Sequence, residues 1–326
     1  MINSFEAMYF GDKRLNASTS AGVLFRMLFR MLFILSLFVI GLMQTESAHA
    51  SDKKPIALQI GGNEPSQSEQ TDADKRWNQI RPGIFGDRPI STDTDIIELE
   101  APHRAFNGSR VPISMHAKIA QNDDYYIKKI YLVVDKNPLP LAGTFNFEAN
   151  KGWTSIETEI RINEYTNLRV ISETSDDELH MTKAFVKAVG GCSALPDSYD
   201  RSDANAFGRM DLSFGEPVGR PSMSPIRELL NGEKPSMARF KLIHPNASGM
   251  QFDQFSRTYI PAHFIHTIGA KFNGREIFTL DTNFSLSQDP SIGFNFVPLE
   301  DGEMTIFAID SKDERFEKTW PIEAIQ

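Results

Sequence analysis

Val111-Pro112-Ile113-Ser114-Met115-His116-Ala117-Lys118-Ile119 sets an apolar side chain at every second position, with mostly polar residues between. A two-residue period turns one face of an extended chain to a core and the other to water, so this is a half-buried β-strand. The same pattern continues on both sides. Ile96–Leu99 precedes it, and Ile127–Val134, Phe145/Phe147, Trp153–Ile162, Leu168–Ile171 and Leu179–Val189 follow. Asp135-Lys136-Asn137-Pro138 supplies turn chemistry between two of them. Seven short β-rich segments with turn signals between them, and almost no helical periodicity, predict an immunoglobulin-like antiparallel sandwich over residues 92–192.

Toward the C-terminus the pattern breaks. Residues 193–236 hold Pro196, Pro217, Pro221, Pro225 and Pro235, with one helical candidate at Ser224–Asn231, and read as a Pro-rich linker. A second β series then runs through Arg239–Ile243, Tyr259–Phe272 (with Pro261 inside), Glu276–Leu280, Ile292–Val297, Met304–Ile309 and Phe316–Trp320. Asn273-Gly274 is a type I′ hairpin signal. The prediction is a second small sandwich over residues 237–326, giving an all-β chain of two immunoglobulin-like β-sandwich domains.

Toward the N-terminus, residues 51–91 are polar, with one short helix over Asp72–Arg81. Asp72 caps it, Trp77 and Ile80 share a face, and Pro82-Gly83 ends it. Further back, Met31–Met43 is an apolar run preceded by Arg26 and Arg30 and followed by Ala48-His49-Ala50, an A-x-A cleavage signature. This pattern predicts a secretory signal peptide over residues 1–50, cut near Ala50, and a periplasmic protein free of the membrane after cleavage. The run is shorter than the ~20 apolar residues that span a bilayer.

Composition narrows the function. Of 326 residues, 40% are hydrophobic and 24% charged, which suits packed cores. The net charge of −9, without a basic cluster, excludes a nucleic-acid binder. The single cysteine, Cys192, leaves no intrachain disulfide and one thiol without a partner in an oxidising compartment. It stands in Val189-Gly190-Gly191-Cys192-Ser193-Ala194, after the last strand of the first sandwich. Gly190 and Gly191 read as a hinge, and the small residues after Cys192 keep the segment thin. This suits a displayed thiol that alkylates like a free peptide. The alternative is a small buried core residue, common for free cysteine.

Other constellations carry less. His263-Phe264-Ile265-His266 would point its histidines to opposite faces of a strand, and His244-Pro245 reads as a strand-end turn. Asn107-Gly108-Ser109 and Asn246-Ala247-Ser248 mark polar loops, and Asp176-Asp177-Glu178 a solvated turn. With no Ser–His–Asp order, no phosphate-cradling glycine loop and no metal-spaced Cys/His set, the sequence assigns no catalytic residue, metal or cofactor. An enzyme acting on its own is not expected.

Several segments resemble a known family. Ile96-Ile97-Glu98-Leu99-Glu100-Ala101-Pro102, Asn107-Gly108-Ser109-Arg110-Val111-Pro112-Ile113, Val134-Asp135-Lys136-Asn137-Pro138 and Gly190-Gly191-Cys192 resemble SoxY. Leu242-Ile243-His244-Pro245, Ile260-Pro261-Ala262-His263-Phe264-Ile265 and Ser291-Ile292-Gly293-Phe294-Asn295-Phe296 resemble SoxZ. The family holds sulfur-oxidation intermediates on a cysteine of a glycine-rich arm. The resemblance therefore implies that Cys192 is the covalent attachment point, with Gly190 and Gly191 as arm hinge. It also implies paired SoxY-like and SoxZ-like sandwiches in contact through Phe and Ile on one sheet face of each, with no catalysis of their own. The fused SoxYZ-like carriers associated with quinoprotein dehydrogenases are the form it is most similar to, which implies oxidising partner enzymes of a Sox-like or quinoprotein system. The arm here reads Gly-Gly-Cys-Ser-Ala and is tethered on both sides, whereas the family arm ends freely. A non-covalent accessory module for a periplasmic quinoprotein dehydrogenase is the second expectation.

Overall fold

The computed structural model describes residues 67–92, 95–148, 155–195, 206–215, 237–296 and 300–324. The expected signal peptide and the helical candidate at Ser224–Asn231 lie outside the described residues. Among the described residues, no helix is long and apolar enough to cross a membrane.

Seven strands form the first half: β1 (Ile97–Glu100), β2 (Val111–Ala117), β3 (Ile127–Val134), β4 (Leu141–Asn146), β5 (Ser155–Ile160), β6 (Thr166–Thr174) and β7 (Leu179–Val186). The second half holds β8 (Met210–Gly215), β9 (Met237–Leu242), the short ribbon β10 (Phe252–Asp253) and β11 (Thr258–Tyr259), then β12 (Ile265–Phe272), β13 (Arg275–Thr282), β14 (Ser291–Asn295), β15 (Gly302–Asp310) and β16 (Arg315–Ile322). One sheet runs β1-β2-β5-β14-β9-β8 and the other β16-β15-β12-β13-β4-β3-β6-β7.

These orders contain a duplication. Each half is an antiparallel sandwich of three strands over four, β1-β2-β5 over β4-β3-β6-β7 and β8-β9-β14 over β13-β12-β15-β16. Replacing β1 to β7 by β8, β9, β12, β13, β14, β15 and β16 in order reproduces the topology. All-β class and paired immunoglobulin-like sandwiches are as the sequence predicts. Their joint differs from the expected apolar face. The halves meet edge to edge, with β4 bonded to β13 (Phe145 opposite Leu280) and β5 to β14 (Ile156 opposite Phe294). An open strand edge leaves a row of unpaired backbone groups, and each half covers the other's. The interior is therefore continuous across the joint: Phe145 meets Phe278 at 6.1 Å between ring centres, and Phe278 meets Phe294 edge-on at 5.2 Å.

Two further elements depart from expectation. Met210–Gly215 lies inside the expected linker yet pairs along its whole length with β9, with Met210 opposite Leu242 and Gly215 opposite Met237. The helix, α1, runs Gln67–Phe85, so it starts before Asp72, which lies inside it and does not cap it, and with Pro82 inside it continues past the expected stop. Pro82 removes one helical donor. The extension is held by Phe85, which is buried edge-on against Tyr131 at 5.0 Å, and by the Gly86 N–H donating to the Pro82 carbonyl. Trp77 and Phe85 of α1 pack with Val133, Ile171 and Leu179 on the outer face of the larger sheet. Covered on both faces, β6 is buried at all nine positions.

Asn273 and Gly274 both have positive φ (49° and 75°), the type I′ geometry that joins β12 to β13. Asp176, Asp177 and Glu178 form an exposed turn, as expected.

Candidate functional site

Cys192 sits in a tight turn just past β7, where the two halves join, and is 1% exposed. The expected display of its thiol is corrected by this burial, and the backbone around it gives the reason. Gly190 has φ +70° with open space about its Cα, so it turns the chain at no steric cost. Gly191 is a glycine for a different reason. A Cβ there would stand 2.0 Å from the Gly108 carbonyl oxygen and 2.6 Å from that of Ile162. The glycine pair thus lets the chain seat closely, with the Gly191 N–H donating to Ile162 O at 3.0 Å and the Gly190 N–H to Asn163 O at 2.8 Å.

Side chains from both halves fix this seat. Arg161, directly after β5, is 1% exposed. Its Nη1 donates to the Gly191 carbonyl at 3.0 Å, its Nε to Leu286 O at 3.2 Å and its Nη2 to Asn246 O at 3.3 Å. The Ser248 hydroxyl donates to the Cys192 carbonyl at 2.5 Å and is itself held by Gln251. Asn246 and Ser248, expected in a polar loop, are buried under the thiol's turn, with the Asn246 amide bonded to Leu286 O and its oxygen accepting from the Ile265 N–H. Asn137 completes the floor, donating to Arg161 O and accepting from the Asn163 N–H. Segments far apart in sequence, around 108, 137, 161, 191, 246 and 286, therefore converge on one turn.

Burial pushes the Cys192 thiol up to about 11, against the opposing pull of Arg161. The folded chain thus holds a protonated thiol in this position. Arg161 is in turn pushed down by burial; an ionised Cys192 favours its charge, and Arg110 opposes it.

A second constellation lies nearby. His244 Nε2 is 3.4 Å from His263 Nε2 and 3.6 Å from Asp310 Oδ2, and His263 Nε2 is 2.5 Å from the same oxygen. His266 does not join them and bonds Thr267 instead. The three converging groups have the residue types of a metal site. However, the Asn246 N–H donates to His244 Nδ1 at 3.0 Å, so the neutral ring carries its hydrogen on Nε2, the atom facing the others. Burial, reinforced by His263, lowers His244 to about 4 and keeps it neutral. As folded, the trio is a hydrogen-bonded cluster under the rings of Phe207 and Phe316.

Two family models match in tandem: sulfur oxidation protein SoxY over residues 81–192, ending on the cysteine, and sulphur oxidation protein SoxZ over residues 227–321. The chain belongs to the SoxY and SoxZ families, joined in one polypeptide. Both models describe proteins of sulfur oxidation. Among solved structures, the sulfur carrier protein SoxY from Chlorobium limicola f thiosulfatophilum is similar at 23% identity, covering 38% of this chain and 100% of its own, with a TM-score of 0.32. A superoxide reductase (neelaredoxin) from Ignicoccus hospitalis is similar at 15% identity over 28% of this chain and 79% of its own, with a TM-score of 0.26. No curated protein matches. In the SoxYZ chain the SoxY half supplies Cys192, Gly108 and Arg161, while the SoxZ half supplies Asn246, Ser248 and Leu286.

Proposed function

We propose that this SoxYZ chain carries a sulfur-containing intermediate, thiosulfate-derived or otherwise thiol-reactive, as a covalent adduct on Cys192 in the periplasm. The observation that carries the reading is the end of the SoxY match on the chain's sole cysteine, at a turn held by both halves. Because the folded thiol is buried and protonated, loading and unloading require residues 190–195 to lift from their seat. Gly190, with positive φ and open space where a Cβ would stand, is the hinge for that motion once its hydrogen bond to Asn163 opens. Partner enzymes of a Sox-like or quinoprotein dehydrogenase system supply the oxidation, and the carrier itself catalyses nothing.

Burial of Cys192 also favours a second reading, a non-covalent accessory module for a quinoprotein dehydrogenase in which the thiol is a core group. Intact mass of the protein isolated from its own compartment decides between them. The carrier reading expects a sulfur adduct that maps to Cys192 and is absent from Cys192→Ala. Unmodified protein under conditions of active sulfur oxidation favours the accessory module.

A further inference from the structure

Arg161 is a fully buried cation, and no anion stands beside it among the described residues. Among the described residues it forms no ion pair, and its three hydrogen bonds all go to backbone carbonyls. A guanidinium has five N–H donors, so two remain without a protein partner among the described residues. The other cation that acts on it, Arg110, is paired with Glu159 and Asp289 and offers no relief. A buried charge left in this state is costly unless an opposite charge arrives. The anionic group within its influence that the chain itself can produce is on Cys192.

We propose that Arg161 is the anion-recognising residue of this site: a negatively charged sulfur group borne on Cys192 supplies its missing counter-ion, and an uncharged group does not. The inference rests on Cys192 being the attachment point and adds a specificity to it. Arg161 grips Gly191 through one nitrogen and SoxZ-half carbonyls through the others, so an anion on Cys192 closes the seat and ties the arm to both halves. Loss of that charge loosens the arm. Guanidinium suits sulfonate-type oxygens as it suits carboxylates, by paired N–H donors.

The test compares two adducts made on the purified full chain. Sodium tetrathionate gives the anionic one: the Cys192 thiolate attacks a central sulfur, an Sγ–S bond forms as the central S–S bond breaks, and thiosulfate leaves with the electron pair. The thiol proton goes to buffer, the cysteine sulfur is oxidised and tetrathionate is reduced. Methyl methanethiosulfonate gives the neutral one, leaving –SCH3 on Cys192 and releasing methanesulfinate. With both conversions complete by mass, the anionic adduct should melt about 3–6 °C above the neutral one. The gap should persist at 0.5 M NaCl, because buried pairs are little screened. Arg161→Gln should erase it, and Arg161→Lys, which keeps the charge, should retain most of it. An anionic adduct that melts level with or below the neutral one in the unsubstituted protein overturns the proposal, whether or not the variants fold. So does a full gap in Arg161→Gln. Because both adducts are installed chemically, a missing gap sinks only this inference, while a missing adduct in the cell sinks only the carrier reading.

Discussion

The SoxY half buries two arginines, each 1% exposed, and treats them in opposite ways. Arg169, on β6, is fully compensated. Its Nε lies 3.0 Å from both oxygens of buried Asp135, its Nη2 is 2.8 Å from Asp74 of α1, and its guanidinium stacks 4.6 Å over Trp77. That arrangement locks the helix to the sheet and asks for nothing more. Among the described residues, Arg161 has carbonyl dipoles alone. A charge neutralised at folding is a structural element, whereas a charge left open keeps a place for something not made by the fold. The open one is found at the single cysteine.

Three measurements break or sharpen this contrast. The largest effect belongs to the closed site. Asp135→Ala strands Arg169 without its main partner and should cost about 3–5 kcal/mol in urea unfolding. Arg161→Gln removes an unpaired charge along with its hydrogen bonds, and should cost clearly less, about 1–3 kcal/mol. Equal costs would mean that Arg161 is as structural as Arg169 and that the contrast is empty.

Next in size is the reactivity of the thiol. With Cys192 buried and its pKa near 11, the thiolate population at neutral pH falls ~100-fold below that of a free cysteine, and access must also be opened. Iodoacetamide should label the folded chain at least ~100-fold more slowly than the urea-unfolded chain. A ratio under ten would show the turn standing open in solution.

The smallest effect is alkaline. The folded pKa of Cys192 lies above its ordinary value near 9, so between about pH 9 and 11 the unfolded chain releases a proton that the folded chain keeps. Stability must therefore fall as pH rises through that window, by about 3 kcal/mol on completion. The expected outcome is a decline between pH 9 and 11 that is shallower in Cys192→Ala than in the parent. Parallel curves would mean that the seat holds the thiolate as readily as the thiol.

Much of the fold was legible because strands announce themselves locally. The alternation from Val111 and the Asn273-Gly274 turn needed no tertiary information. β8 is obscured by its setting: Met210, Leu212 and Phe214 do alternate with polar residues, but the segment stands among the prolines of the expected linker, and its pairing with β9 is what makes it a strand. At the C-terminal end of the helix Pro82 is a local stop signal, and the chain stays helical past it because Phe85 is anchored by a residue of the sheet. Arg161 escaped for a related reason. In Ser155-Ile156-Glu157-Thr158-Glu159-Ile160-Arg161-Ile162 it falls on the polar side of the alternation and reads as solvent-facing. The carbonyls that surround it belong to loops a long way along the chain.

By itself, the sequence determined the β class, the duplicated strand series and the identity of the one thiol with two glycines before it. These depend on periodicity and on residue chemistry, which are properties of neighbours in the chain. Only the tertiary structure decided that the two sandwiches share both sheets, that Gly191 serves close packing against Gly108, and that Cys192 is covered and set beside an uncompensated arginine. Burial and charge pairing are sums over residues that the fold brings together, and local sequence holds no record of those sums.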